Sequence, residues 1–272
     1  DVLLPPGTDR ELDVGLALRL TCPTTKSRIL ARRLFAADAP LVRAGLIDLV
    51  PTPGTDIDGR SELLRTRLVV PEHVLMALAG ESGLPVWLRD RADLVEPSGS
   101  LDDAVLDADD RSRLLALLAR WRKADGDTGA AAGTPTLVLA GSAGSGKTFL
   151  AGALAASLKH PLLRVRMPAL ARSEEPAGRV WPRLVAIARF FRAVLLLDDV
   201  DPGTLGNGLA DTLAACAEDG LPVVVTVPES AAIAIAGLGF SMIQVALREP
   251  SHAMRHALWR RALAAEPDAP AL

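Results

Sequence analysis

The residues Gly141-Ser142-Ala143-Gly144-Ser145-Gly146-Lys147-Thr148 fit the spacing G-x-x-x-x-G-K-[ST] at every fixed position. A short pattern of this kind gains its weight from what flanks it. An apolar run, Thr136-Leu-Val-Leu-Ala140, leads straight in, and Phe149-Leu-Ala-Gly-Ala-Leu-Ala-Ala-Ser-Leu158 leads straight out with helical character. Strand, glycine-rich loop and helix together form a cradle for phosphate. Glycines let successive N–H groups curl inward, and the helix start adds unpaired N–H groups at the positive end of its dipole. Lys147 is placed to reach β- and γ-phosphates, and the Thr148 hydroxyl to ligate Mg²⁺. The expected ligand is ATP or ADP with Mg²⁺, contacted by residues 141–148 and by Phe149 at the start of the helix.

Downstream, Ala193-Val-Leu-Leu-Leu197 reads as a buried strand ending in Asp198-Asp199. A carboxylate at the carboxyl end of a neighbouring parallel strand is suited to the Mg²⁺ shell, and that role falls to Asp198. Asp199 is expected nearest the attacking water, as general base. Further strands are read at 162–165, 223–227 and 242–246, with helices at 147–158, 180–191, 205–218 and from Ser251 onward. Near-continuous apolar strands alternating with helices predict an α/β fold, a parallel sheet covered on both faces.

Upstream, a flexible Gly/Ala-rich stretch (126–133) follows an amphipathic helix over 111–123, with Leu114, Leu117, Leu118 and Trp121 on one side. An acidic connector runs from Pro97 to Asp110. The first 95 residues read as a small α+β unit. It has a helix over 11–20 and a second over 27–35 capped by Thr24 or Thr25, with Ile29, Leu30 and Leu34 on one face. A helical turn over 40–45, a strand over 46–50, a polar loop over 51–61, a strand over 63–70 and a helix over 72–78 follow. Helices followed by two strands around a long loop make a winged-helix pattern. The predicted boundaries are 1–95, 96–133 for linker and helix, and 134–272.

Composition excludes several classes. The 272 residues carry a formal net charge of −3, so no global field favours nucleic acid or an acidic membrane surface. No stretch approaches the roughly 20 apolar residues of a membrane span. Asp1 follows neither an initiator Met nor a signal peptide, and it reads as a cut in a longer, cytoplasmic protein. Cys22 and Cys216 lie far apart and read as isolated reduced thiols. His252 and His256 have a metal-compatible spacing without a third ligand, and read as helix surface. Lys26, Arg28, Arg32 and Arg33 form a basic cluster. Acidic residues balance it over the first 95 positions, so protein docking is the expected role and DNA binding the lesser one. Trp121 reads as a packing residue ahead of adenine contact, and Trp87, Trp181 and Trp259 as packing residues.

The phosphate loop and the strand ending at Asp198-Asp199, with a helix ahead of it, resemble the AAA+ ATPase family over about residues 100 to 265. Leu221-Pro-Val-Val-Val-Thr226 looks like the strand that carries the family's sensor-1 polar residue, which assigns Thr226 a catalytic role. Met242-Ile-Gln-Val-Ala-Leu, then Pro250 and Arg255 to Trp259, looks like the last core strand entering a helical lid. The resemblance implies a P-loop AAA+ core, ATP hydrolysis, a hexameric ring of identical chains in the full-length protein, and a protein client. The segment Ala39 to Leu49 with the following strand and helix is similar to a narrower bacterial group. Its members carry a winged helix ahead of the ATPase, some have tandem modules, and some are associated with contractile injection systems. Three departures lower the expected turnover. Asp199 stands where the family commonly has Glu, residues 230–241 hold no Arg or Lys for an arginine finger, and residues 168–178 lack a pore-loop pattern.

Overall fold

A computed structural model describes residues 12–36, 39–51, 62–81, 83–104, 106–126, 133–172, 177–201, 203, 208–249 and 252, 255, 256 and 260. The chain divides into two compact units, 1–85 and 86–272. The loop expected over 51–61, from residue 52 on, and most of the C-terminal helix, with Trp259, lie outside the described residues.

In the first unit, α1 (Val14–Thr21) is capped by the Asp13 carboxylate, which accepts from the Leu16 N–H. α2 (Thr25–Ala31) starts in a capping box of Thr24 and Ser27 and runs into a 3₁₀ turn over Arg32–Phe35. α3 (Pro40–Arg43) leads to β1 (Asp48–Val50). After it come α4 (Glu62–Arg65), β2 (Arg67–Val69) and α5 (Glu72–Leu78). β1 and β2 pair antiparallel, with Leu49 opposite Leu68. The strand expected over 63–70 is thus half helix. β1 has three residues and offers partners only to 67–69, while the Thr66 N–H turns back to the Leu63 carbonyl. Ile29 and Leu30 lie in α2 and Leu34 in the 3₁₀ turn, and each is exposed rather than packed.

In the second unit, β3 (Ala92–Val95) precedes α6 (Ala108–Gly126), β4 (Thr136–Ala140) and α7 (Lys147–Leu158). β5 (Leu162–Arg166), α8 (Met167–Leu170), α9 (Ala177–Phe190) and β6 (Val194–Asp198) continue the alternation. α10 (Gly208–Glu218), β7 (Val223–Val227), α11 (Ala232–Ala236) and β8 (Met242–Ala246) complete it. One six-stranded sheet has the order β3-β5-β6-β7-β4-β8. Five strands are parallel, and β3 closes the β5 edge antiparallel, with Ala92 opposite Val165. Residues 92–95 therefore belong to the larger unit, and the first one ends near 85 rather than 95.

The strand order also corrects one expectation about the site. β6, which carries Asp198, does not neighbour β4; β7 lies between them. The crossover from β4 runs out to β5, and the chain then steps back through β6 and β7 to reach β4's free side. Beneath the sheet, Leu114, Leu117, Leu118 and Trp121 of α6 are buried with Leu150 and Leu154 of α7 and with Leu137 and Leu139 of β4. Trp121 is fully buried and its indole N–H donates to the Pro135 carbonyl, 3.3 Å away. Alanines 151, 153 and 155 are buried in the same cluster, where small side chains let α7 approach the strands closely.

Candidate nucleotide site

The loop after β4 is built by backbone constraints. Gly144 and Gly146 have φ of 80° and 92°, a region costly for any residue with a Cβ. At Gly141 a Cβ would lie 2.5 Å from the Leu247 carbonyl oxygen, so β8's exit excludes every larger residue there. The loop is pinned at its start, where the Gly141 N–H donates to the Val227 carbonyl at 3.2 Å. At its end the Leu150 N–H donates to the Gly146 carbonyl at 2.9 Å, which opens α7. The Lys147 ammonium donates to the carbonyls of Gly141 (2.8 Å) and Ser142 (2.7 Å), so the cation is held across its own loop. The Ser145 hydroxyl is buried and has no hydrogen-bond partner. A buried polar atom without a partner is costly, and an anion or its water inside the loop would satisfy it. The loop residues fit a polyphosphate on these grounds. Thr148 is half-buried at the first turn of α7, and Phe149 is exposed, its ring lying against Gly99.

Four residues meet at the carboxyl ends of β5, β6 and β7. The Thr226 hydroxyl, fully buried, donates to Asp198 Oδ1 at 2.8 Å and accepts the Asp199 N–H at 2.8 Å. Arg164 places Nε 2.7 Å and Nη2 2.6 Å from Asp198 Oδ2. The parallel register explains the reach. Arg164 lies opposite Leu196 and Arg166 opposite Asp198, so Arg164 and Asp198 are diagonal neighbours on one face of the sheet. Asp199 has a left-handed backbone (φ 63°) and is exposed. It borders a cleft of about 500 Å³ with Met167, Pro168, Pro228, Ser230 and Ala234, and no residue of the phosphate loop lines that cleft.

Lys147 and Thr148 follow the carboxyl end of β4, and Asp198 and Asp199 lie at the carboxyl end of β6, in one sheet. Thr226 joins them through Asp198 and Asp199; its hydroxyl is fully buried and its one proton is given to Asp198, so it touches the site through the two aspartates. Asp198 fits a metal shell poorly. Each of its oxygens already accepts a hydrogen bond, from Arg164 Nε and from the Thr226 hydroxyl, and the Arg164 guanidinium balances the charge. Sequence reading missed Arg164. The available signal was the pair of arginines, Arg164 and Arg166, alternating with buried apolar residues in Leu162-Leu-Arg-Val-Arg166. His252 and His256 are exposed, and no cluster of metal-ligating side chains occurs among the described residues.

Comparisons with known proteins agree with this architecture. Residues 3–85 match the model of a variant winged helix domain, and residues 137–213 match that of the AAA family of ATPases associated with various cellular activities. No curated protein matches the chain. Among solved structures, the FIGL-1 AAA domain in complex with ADP aligns with TM-score 0.50 and 17% identity, over 64% of this chain and 64% of its own. A katanin structure concerned with self-assembly aligns with TM-score 0.47 and 20% identity, over 68% of each chain. PCH-2 of C. elegans aligns with TM-score 0.47 and 13% identity, over 60% of this chain and 50% of its own. The chain carries an N-terminal winged-helix domain followed by a domain with the AAA ATPase fold.

Proposed function

We propose that the chain binds ATP on the 141–148 loop and serves as a slowly hydrolysing, nucleotide-dependent module of a ring-forming ATPase that remodels protein assemblies. The observation that carries the reading is the loop itself, with Lys147 held across it and a buried Ser145 hydroxyl that lacks a partner. Loop N–H groups and the start of α7 bind the phosphates, and Lys147 leaves its own carbonyls for phosphate oxygens. Phe149 and the adjoining Gly99 turn flank the nucleotide. Thr148 is the residue that would hold Mg²⁺, which would supply charge to offset the phosphates, and Asp198, already paired with Arg164, would add little to its shell. Asp199 orients water from the cleft side, and Thr226 fixes the angle between the two aspartates.

Slow turnover follows from three features. Asp199 is short, residues 230–241 supply no cation to a neighbouring subunit's site, and Asp198 is already charge-balanced. The same features support a second reading in which nucleotide is a structural ligand that organises the ring. The winged helix is read as a protein-docking element, because Ile29, Leu30 and Leu34 expose apolar surface beside its basic residues. No described helix is long and apolar enough to cross a membrane, and the reading places the protein in the cytoplasm of a bacterial cell. A link to contractile injection systems rests on the sequence resemblance alone.

Single-turnover hydrolysis of radiolabelled ATP by the assembled full-length protein tests the proposal. A slow rate abolished by Lys147→Ala supports the hydrolysing module, and bound ATP with no turnover supports the structural one. Fast turnover lost with Lys147→Ala contradicts the slow-module reading, and no retention of ATP contradicts both.

A further inference from the structure

Arg164 sits where the fold would otherwise leave a bare carboxylate for a metal. Its Nε and Nη2 both approach one oxygen of Asp198, at 2.7 and 2.6 Å, and the Thr226 hydroxyl holds the other at 2.8 Å. The Asp198 side chain is only 11% exposed, so water competes weakly for it, and the Arg164 side chain is 37% exposed. Charge-assisted contacts of this length are among the strongest hydrogen bonds a carboxylate accepts. The guanidinium also stays protonated at every accessible pH, so its charge is permanent.

A divalent cation drawn to this end of β6 meets a fixed positive charge and a carboxylate both of whose oxygens already accept a hydrogen bond. Mg²⁺ sheds water reluctantly and demands octahedral geometry, so it gains little from a ligand so encumbered. Arg164 is moreover anchored by the strand. It projects from the middle of β5, whose register with β6 is fixed on both sides by paired strands. Releasing Asp198 requires a change of side-chain rotamer at Arg164 and leaves a buried carboxylate without its cation.

We infer that Arg164 takes over the charge-balancing part of the metal's role at Asp198, so that nucleotide binding by this chain depends only weakly on Mg²⁺. This rests on the nucleotide reading above. Thermodynamic linkage makes the effect measurable without any turnover. The factor by which Mg²⁺ tightens ATP on the protein equals the factor by which the protein tightens Mg²⁺ on ATP, and removing Arg164 raises it. Arg164 is a positioning residue in this account, acting on the nucleotide site through Asp198.

The test is calorimetric titration of ATP into the purified protein, with millimolar Mg²⁺ and again with EDTA, for wild type, Arg164→Gln and Arg164→Lys. The expected wild-type affinity ratio between the two conditions is below about threefold. In Arg164→Gln it rises to about tenfold or more. In Arg164→Lys, which keeps the charge, it stays near the wild-type value. A wild-type ratio of about tenfold or more, unchanged in Arg164→Gln, overturns the inference and leaves the nucleotide reading standing. If Arg164→Gln does not fold, the wild-type ratio decides alone. Failure of wild-type protein to bind ATP in either condition overturns both.

Discussion

At Thr226 a single buried hydroxyl serves two neighbours, giving its proton to Asp198 and taking the N–H of Asp199. Thr226→Val keeps the shape and removes both bonds, which leaves a buried Asp198 oxygen and the part-buried Asp199 N–H without this partner. The expected loss is about 1–3 kcal/mol, read by urea unfolding, with Thr226→Ser retaining most of the stability. Asp199 shows the opposite balance, a left-handed residue whose geometry suits glycine better. Asp199→Gly is expected to hold or raise stability by up to about 1 kcal/mol while eliminating whatever ATP turnover the wild type shows, measured by thermal unfolding and by single-turnover assay. Residues of this kind differ in how far the sequence discloses them. Lys147 and Thr148 are legible because eight consecutive positions encode their surroundings. Arg164 is not, because its partner lies 34 positions away on another strand, and only the β5–β6 register makes them neighbours.

Among the elements, α6 was legible because it carries its own period, and α7 because it follows the phosphate loop directly. Leu114, Leu117, Leu118 and Trp121 recur at helical spacing and all four are buried. Leu154 of α7 is likewise fully buried in this cluster. Leu154→Ala is expected to cost about 2–5 kcal/mol in the second unit, seen as a lowered denaturant midpoint with an unchanged slope. Short elements resisted reading for a shared reason. β3 has four residues and exists through its antiparallel pairing with β5, some 70 positions on, so no local pattern distinguishes it from a loop. Leu63 to Val70 alternates well enough for one strand, yet β1 provides partners for only three residues, and the unpaired half coils into α4. The strand order posed the same difficulty. Five parallel strands were evident in sequence, whereas the insertion of β7 between β4 and β6 depends on crossovers that the strands do not encode.

On the scale of the molecule, the two thiols report on folding separately, Cys22 from the first unit and Cys216 from the second. Burial pushes the Cys216 thiol up to about 12, from an ordinary value of 9.0. In native protein at pH 8, Cys22 is expected to react with a disulfide reagent and Cys216 to react only after denaturation, so one thiol titrates before denaturant and two after. The folded state keeps a proton that the unfolded state releases above pH 9. Stability from this group therefore falls as pH rises from about 9 towards 12. Neither unit's reading depends on the other's, and the claim on which the functional account stands concerns the second alone. That claim is that ATP is held by the loop between β4 and α7. Its most direct test is calorimetric titration of ATP into wild type and Lys147→Ala with matched thermal-unfolding profiles. The account predicts one site per wild-type chain and at least about tenfold weaker binding in Lys147→Ala. Equal affinity in the two proteins, or no heat in either, would contradict it.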